Sequence, residues 1–304
     1  MATVQLTPAG VGIRNVLIAT DFSHYSTPAL HFGLEISQNY NANAAIVFVV
    51  PNDPYLLAGP EAYVAARDAA RRDLEELEGE LKRTHAGLAP ERYHLYLLEG
   101  DIAEAILDFA CQREADLIVL GTHGRGGLRK ALLGSVAERV FRHSPVPVLT
   151  LGPAVRHTMC HSVPTNILAA ADFTPASRTA VRYAAAMAQQ GDAKLTLVHV
   201  LDPGSLQHLP DRAAMERGLE RRLAEMVNRD AEGVRCSIRI AVGKVTGSIL
   251  QIAKEEAADL LVMGVRSSSG VLDRLAIPHA YEVVREAPCP VLTLREKRAD
   301  VDEE

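Results

Sequence analysis

The sequence predicts an α/β protein made of two tandem, doubly wound domains, each a five-stranded parallel sheet with helices on both faces. Two observations carry this. The chain repeats itself once at domain length, and within each repeat short apolar runs alternate with segments of helical period. Length agrees, since 304 residues leave room for about two domains of roughly 150 residues each.

Asn15 to Ser23 (NVLIATDFS) returns as Asn166 to Thr174 (NILAAADFT), an offset of 151 that also carries Phe48-Val49 onto His199-Val200. Ala115 to Gly121 (ADLIVLG) returns as Ala258 to Gly264 (ADLLVMG), now offset by 143, and Pro147 to Leu151 (PVLTL) recurs identically at Pro290 to Leu294. The two offsets imply a net loss of eight residues in the second copy, opposite residues 52 to 100 of the first. A period this long means tandem whole domains and excludes a solenoid of short units.

Within the first copy, Val16 to Thr20 is an apolar run that stops at Asp21, as a strand of a buried parallel sheet does. Ser26 to Asn39 places Ala29, Phe32 and Ile36 at helical spacing. Ala45 to Val50 is a second strand. Glu61 to Thr84, rich in Ala, Leu, Glu and Arg, is a long helix with a charged face. Tyr93 to Leu98 is a third strand. Asp101 is placed to cap the next helix, with Glu104 three residues on, and Ile102, Ile106 and Phe109 mark that helix's apolar face. Leu117 to Leu120 and Val146 to Leu151 complete five strands. Alternation of this kind gives a parallel sheet with right-handed crossovers. Gly152 to Pro164 reads as a linker and Glu296 to Glu304 as a charged tail, so the domains are expected at residues 1–152 and 165–295.

Composition narrows the function classes. Hydrophobic residues at 48% and charged residues at 23% are globular values, and 5% aromatics with no Trp argue against a base-stacking nucleic-acid surface. The net charge of −6 divides into −5 up to Leu151 (13 basic, 18 acidic) and −1 beyond it (19 basic, 20 acidic). Neither part has the basic excess of a nucleic-acid or membrane-surface binder. Cys111, Cys160, Cys236 and Cys289 are too few and scattered for a disulfide framework. The N-terminus lacks the pattern of a signal peptide, and no apolar run approaches the ~20 residues that span a bilayer. A cytoplasmic, soluble protein is expected.

The chemistry concentrates after the fourth strand. Leu117 to Leu120 runs into Gly121, Thr122, His123, Gly124, Arg125, Gly126 and Gly127, and Gly134-Ser135 then open a helix over Val136 to Arg142. Glycines let a backbone approach phosphate closely, and a helix N-terminus offers unpaired N–H groups and a positive dipole end to an anion. Ser135 adds a hydroxyl. Asp21, at the end of the first strand, faces the same crevice and could accept from ribose hydroxyls. The combination suits a nucleotide, although a plain turn, an ordinary helix cap at Gly134-Ser135 and a capping role for Asp21 fit the same residues. No GxxxxGK[ST], HExxH, GxSxG or kinase signature is present. His157, Cys160 and His161 supply too few ligands for a metal site. No nucleophile–base pair stands out, so no catalytic residue is assigned.

Gly121-x2-Gly124-x9-Gly134-Ser135 matches the G-2x-G-9x-G-[S/T] signature of universal stress proteins. The run Val16 to Ser23 and the end Ser144 to Leu151 (SPVPVLTL) also resemble that family, and the likeness extends through both copies. The resemblance implies an ATP-binding, Rossmann-like fold with strand order 3-2-1-4-5. It implies that Ala19, Thr20 and Asp21 line the adenine and ribose side and that Val49 offers backbone contacts to adenine. Gly121, Gly124, Gly134, Ser135 and Val136 would then hold ribose and phosphates, with or without Mg. It further implies a stress-response or regulatory module with little or no turnover, acting through an unknown protein partner. Dimerisation through the last strand is implied too, which makes the two copies an intramolecular pseudo-dimer and leaves a homodimer open. A slow ATPase or phosphotransferase using Arg125, Arg129 and Lys130, and an adaptor without ligand, are the alternatives.

The second copy departs from the signature. Gly121 corresponds to Gly264, but Gly124 corresponds to Ser267, and Gly134 and Ser135 correspond to Ile277 and Pro278. A β-branched residue where phosphate approaches, and a proline that removes an N–H, predict weak or absent nucleotide binding there. Asp172 and Val200 remain.

Overall fold

The computed structural model describes residues 6–7, 10–52, 60–84, 89–122, 134–155, 163–206, 211–228, 233–265 and 277–295. Gly124, Ser267, His123, Arg125, Arg129, Lys130, His157, Cys160 and His161 lie outside the described residues. The chain forms two compact units, Ile13–Thr150 and Leu151–Glu304. A short antiparallel hairpin of β1 (Leu6–Thr7) and β2 (Gly10–Val11) groups with the second unit.

The first unit runs β3 (Asn15–Ala19), α1 (Thr27–Asn39), β4 (Asn43–Val50), α2 (Pro60–Thr84), β5 (Tyr93–Glu99), α3 (Ile102–Gln112), β6 (Leu117–Gly121), α4 (Ser135–His143) and β7 (Val148–Leu151). Its sheet has the order β5-β4-β3-β6-β7, and the β3–β4, β3–β6 and β4–β5 pairs are parallel. Numbered within the unit, this is 3-2-1-4-5, as the family resemblance implies. The strands are apolar on both faces because both are covered. Leu17, Val47, Val49 and Ile118 pack under α3 and α4 with Ala103, Ile106, Ala137 and Val140. On the other face Phe48 and Val50 pack under α2 with Ala70 and Leu74. On that same face Gly33 of α1 approaches Ile18, the register partner of Ile46, so closely that an added Cβ would lie 2.8 Å from its side chain. Full burial of side chains such as Leu17 and Ile18 is worth about 1.5–3 kcal/mol each.

The second unit repeats the plan with β8 (Asn166–Ala170), α5 (Pro175–Gly191), β9 (Lys194–Leu201), α6 (Arg212–Asn228), β10 (Cys236–Val242), α7 (Val245–Glu255), β11 (Leu260–Val265), α8 (Ile277–Glu286) and β12 (Val291–Arg295). The order is β10-β9-β8-β11-β12, with every pair that includes β8, β9 or β11 parallel. The eight missing residues fall in one element: α2 has 25 residues and α6 has 17. The hairpin lies against α5 through β2, where Val11 is buried.

An aspartate at the start of each fourth strand ties it to the first. Asp116 accepts from the backbone amides of Arg14 (2.8 Å) and Asn15 (3.0 Å), and Asp259 accepts from those of Thr165 (2.8 Å) and Asn166 (3.0 Å). β7 starts two residues later than the apolar run suggests. Pro147 has no N–H to give a ladder, and the Ser144 hydroxyl takes up both polar groups of Val146, accepting from its amide (3.2 Å) and donating to its carbonyl (2.7 Å).

At the far end of the same strands the chain passes itself without a side chain between. A Cβ on Gly121 would lie 2.8 Å from the Tyr25 carbonyl oxygen, and one on Gly264 would lie 2.6 Å from that of Ala176 and overlap the Ala176–Ser177 peptide bond. Gly264→Ala is therefore expected to destabilise the second unit by about 1–3 kcal/mol through overpacking, with a smaller effect for Gly121→Ala in the first. Urea titration of the full chain checks both, and equal stability of wild type and Gly264→Ala contradicts the close approach.

Asp101 caps α3 as expected, accepting from the Glu104 amide at 3.0 Å. That amide holds its carboxyl below the usual carboxylate range; desolvation opposes the shift and the Arg139 guanidinium reinforces it. A carboxyl depressed in the folded state contributes stability above its unfolded value and loses it as pH falls through the folded value. Asp101→Ala should cost about 1 kcal/mol at neutral pH, and thermal melts should show that difference closing once the solution is more acid than the ordinary aspartate range.

Candidate functional site

Strand order reverses beside β3: the chain leaves it for β4 on one side, and β6 enters on the other. Ligands of open parallel sheets bind beyond the strand ends at such a point. Ala19 ends β3, Gly121 ends β6, and α4 begins at Ser135, so these sequence-identified residues gather at one end of one sheet. Gly124 lies outside the described residues.

Val49 joins them by strand parity. The Thr20 amide donates to the Val47 carbonyl at 3.0 Å, whereas the Gly100 amide donates to that of Val50 at 3.1 Å. Odd residues of β4 thus turn their peptide groups toward β3 and even ones toward β5. β3 ends opposite Val47, so the N–H and C=O of Val49 face the space beyond it. An adenine edge, with a donor beside an acceptor, fits that pair.

The turn after β3 is fixed by its own polar groups. Asp21 Oδ1 accepts from the Ser23 amide (3.0 Å) and the Ser23 hydroxyl (2.6 Å). Thr20 Oγ1 accepts from the Phe22 amide at 3.1 Å and lies 3.1 Å from Ser26 Oγ. Asp21 therefore shapes an Asx-type turn and does not cap α1, whose N-cap is Ser26. Phe22 takes the left-handed conformation (φ 59°), which turns its ring onto Phe48 with centroids 4.8 Å apart.

Across the crevice, the Gly134 amide donates to the Thr122 carbonyl at 2.9 Å and brings together the two ends of the 123–133 segment. Gly134 is the N-cap of α4 and brings no side-chain cap, so the first-turn amides and the exposed Ser135 hydroxyl form the donor set. That chemistry suits phosphate oxygens. Val136 is half-buried against the core below.

One feature was not legible beforehand. Arg139, in the second turn of α4, donates to Asp101 (2.6 Å) and Glu104 (3.0 Å) at the start of α3. Neither residue is adjacent to Arg139 in sequence, and only the crossover brings them together.

The second unit keeps the turn and changes what surrounds it. Asp172 Oδ1 accepts from the Thr174 amide (3.0 Å) and hydroxyl (2.5 Å), and Phe173 is again left-handed (φ 63°). Its ring meets His199 at 4.9 Å and Arg222 at 4.2 Å instead of a phenylalanine. Pro278 is the second residue of α8, which removes one first-turn donor. Among the described residues, no group of three or more His, Cys, Asp or Glu side chains is placed to hold a metal ion, and no helix is long and apolar enough to cross a membrane.

Comparison with known proteins agrees with this architecture. A universal stress protein of Thermus aquaticus is 36% identical over 136 residues, covering 45% of this chain and 96% of its own. One of Methanocaldococcus jannaschii is 32% identical over 142 residues, covering 45% and 81%. The crystal structure of a universal stress protein from Archaeoglobus fulgidus matches over 94% of this chain and 97% of its own, with a TM-score of 0.69 at 22% identity. A universal stress protein solved in complex with cAMP matches 43% of this chain and 96% of its own, with a TM-score of 0.35 at 22% identity. The model of the universal stress protein family matches twice, at residues 12–151 and 164–295. With one family domain in each compact unit, this chain belongs to the universal stress protein family.

Proposed function

We propose that the chain is a nucleotide-sensing module of the stress response that binds ATP in its first unit. One observation carries the reading: the crevice-facing peptide group of Val49 and the N-terminus of α4, opened by Gly134 and Ser135, stand at the same end of one sheet. The first suits the adenine edge and the second the phosphates. Ala19, Thr20 and Asp21 lie at the end of β3, where the ribose would bridge the two. Bound ATP supplies charge and shape at this end of the unit, and the protein's part is to hold it and to present the result to a partner. The second unit keeps Asp172 and Val200 but has Pro278 in the first turn of α8, so its affinity for ATP is far lower.

The full chain should therefore bind one ATP with high affinity and not two. Equilibrium dialysis with ATP gives the stoichiometry, and two equivalent sites would sink the division between the units. Ser135→Ala should weaken binding roughly tenfold or more, the worth of one hydrogen bond to a charged group (about 1.5–3 kcal/mol). Mass spectrometry of nucleotide retained on purification separates the functional classes: ATP supports the sensor, ADP a slow ATPase, and no nucleotide an adaptor.

A further inference from the structure

Two helix N-termini stand on one face of the first sheet, those of α3 and α4, and one side chain joins them. Arg139 is four residues beyond Ser135 and so shares its face of α4. Long helical side chains lean toward the helix N-terminus, which brings the guanidinium back toward the first turn. There Nη1 donates to Asp101 Oδ2 at 2.6 Å and Nη2 to Glu104 Oε1 at 3.0 Å. Asp101 is itself held by capping α3, and Glu104 lies in the first turn of α3. The anchor is thus fixed before Arg139 reaches it.

The second unit lacks this tie. Offset by 143, Asp101, Glu104 and Arg139 correspond to Lys244, Gly247 and Glu282. Glu282 accepts instead from the Thr246 hydroxyl at 2.8 Å, with His279 Nδ1 3.3 Å from the same hydroxyl. A carboxylate thus stands one turn into α8 where the first unit has a guanidinium, next to a helix end already short of one donor.

We infer that Arg139 is a positioning residue for the nucleotide site: it fastens the first turn of α4 to α3 and sets the Ser135 and Val136 amides at the phosphate end. The inference rests on the ATP reading for its ligand, but the fastening itself is a property of the nucleotide-free chain. The three charged side chains are 44% exposed for Arg139 and Asp101 and 68% for Glu104, so the tie is modest and sensitive to salt.

The test uses the full-length chain with Arg139→Ala, Arg139→Lys and Asp101→Asn, the last keeping a side chain able to cap α3. Amide hydrogen exchange without nucleotide should speed up in Arg139→Ala at Glu138 and the amides that follow it, the first in α4 to be bonded within the helix, and leave β3 and β6 unchanged. ATP affinity should fall roughly fivefold at low salt, with the gap narrowing as ionic strength rises. Arg139→Lys should recover part of the loss, because an ammonium reaches one carboxylate where the guanidinium spans two. Asp101→Asn should show the same loss in smaller measure. Wild-type binding with unchanged exchange and affinity in Arg139→Ala would overturn this inference alone. Absence of ATP binding by the wild type would overturn the parent reading and the ligand part of this one, while exchange in α4 still reports on the fastening.

Discussion

The architecture of each unit depends on one bare crossing. Where the fourth strand ends, its glycine runs against the chain that follows the first strand, close enough that Gly121 meets the Tyr25 carbonyl and Gly264 the Ala176–Ser177 peptide in the first turn of α5. Any side chain there would push the turn and the helix behind it away from the sheet. Because nothing intervenes, the ends of the first and fourth strands stay side by side at the point where strand order reverses. The segment leaving the fourth strand then starts at the mouth of the crevice. The crossing is present in both units, although the glycine pattern continues only in the first. It follows that the first glycine of the motif answers to packing. Gly134 differs, since its φ of −59° and ψ of 141° are open to any residue, and the turn geometry does not require it. Under the ATP reading, its lack of a side chain serves the approach of a ligand.

The turn after the first strand is a second fixed part, and it shows how one local design serves two surroundings. In both units an aspartate oxygen gathers the amide and hydroxyl two residues on, and the intervening phenylalanine is forced to positive φ. That conformation is costly for a residue with a side chain, by about 1–2 kcal/mol, and the hydrogen bonds with the half-buried ring offset it. In the first unit the ring lies flat on Phe48 over an apolar layer. In the second it sits between His199 and the Arg222 guanidinium, with His199 Nδ1 2.7 Å from the Ala171 carbonyl. The second unit has thus put a histidine and an arginine against the ring that meets Phe48 in the first.

The fold was legible because its signals are periodic and repeated. The Val-Leu-Ile core of β3 and the Asp101–Glu104 pair at the start of α3 are local patterns, and the first of them returns in the second copy as Ile167 to Ala169. The eight-residue difference resolved into a shortened helix, one of the places the offset leaves open between residues 52 and 100. What escaped was non-local or too short. Leu6–Thr7 and Gly10–Val11 have no room for a period, and nothing in them announces a hairpin against α5. Asp116, Asp259 and Arg139 belong to no local pattern, since their partners lie on other elements. In the site, the side of Val49 that faces the crevice could be assigned only once the β3–β4 register was known. Asp21 illustrates the opposite limit: it follows the first strand, as its place after an apolar run implies, while its hydrogen bonds to Ser23 do not follow from residue type.

The asymmetry between the units is then electrostatic as much as steric. A phosphate at a helix N-terminus gains from unpaired amides and from any cation nearby. The first unit presents α4 with its first-turn amides and keeps a guanidinium one turn behind them, its charge partly answered by Asp101, which also caps α3, and by Glu104. The second unit begins α8 with a proline-containing turn and places Glu282 at the corresponding level, bound to Thr246. A larger ionic network of this unit lies elsewhere: Glu256 accepts from Lys194 and Arg239, and Glu255 from Arg239, on the flank of β9 and β10. Those bonds join strand to helix within the second unit and require no ligand. One copy of the fold thus carries an ion-paired guanidinium one turn into the helix after its fourth strand, and the other a carboxylate, so the two helix ends differ in charge as well as in donors.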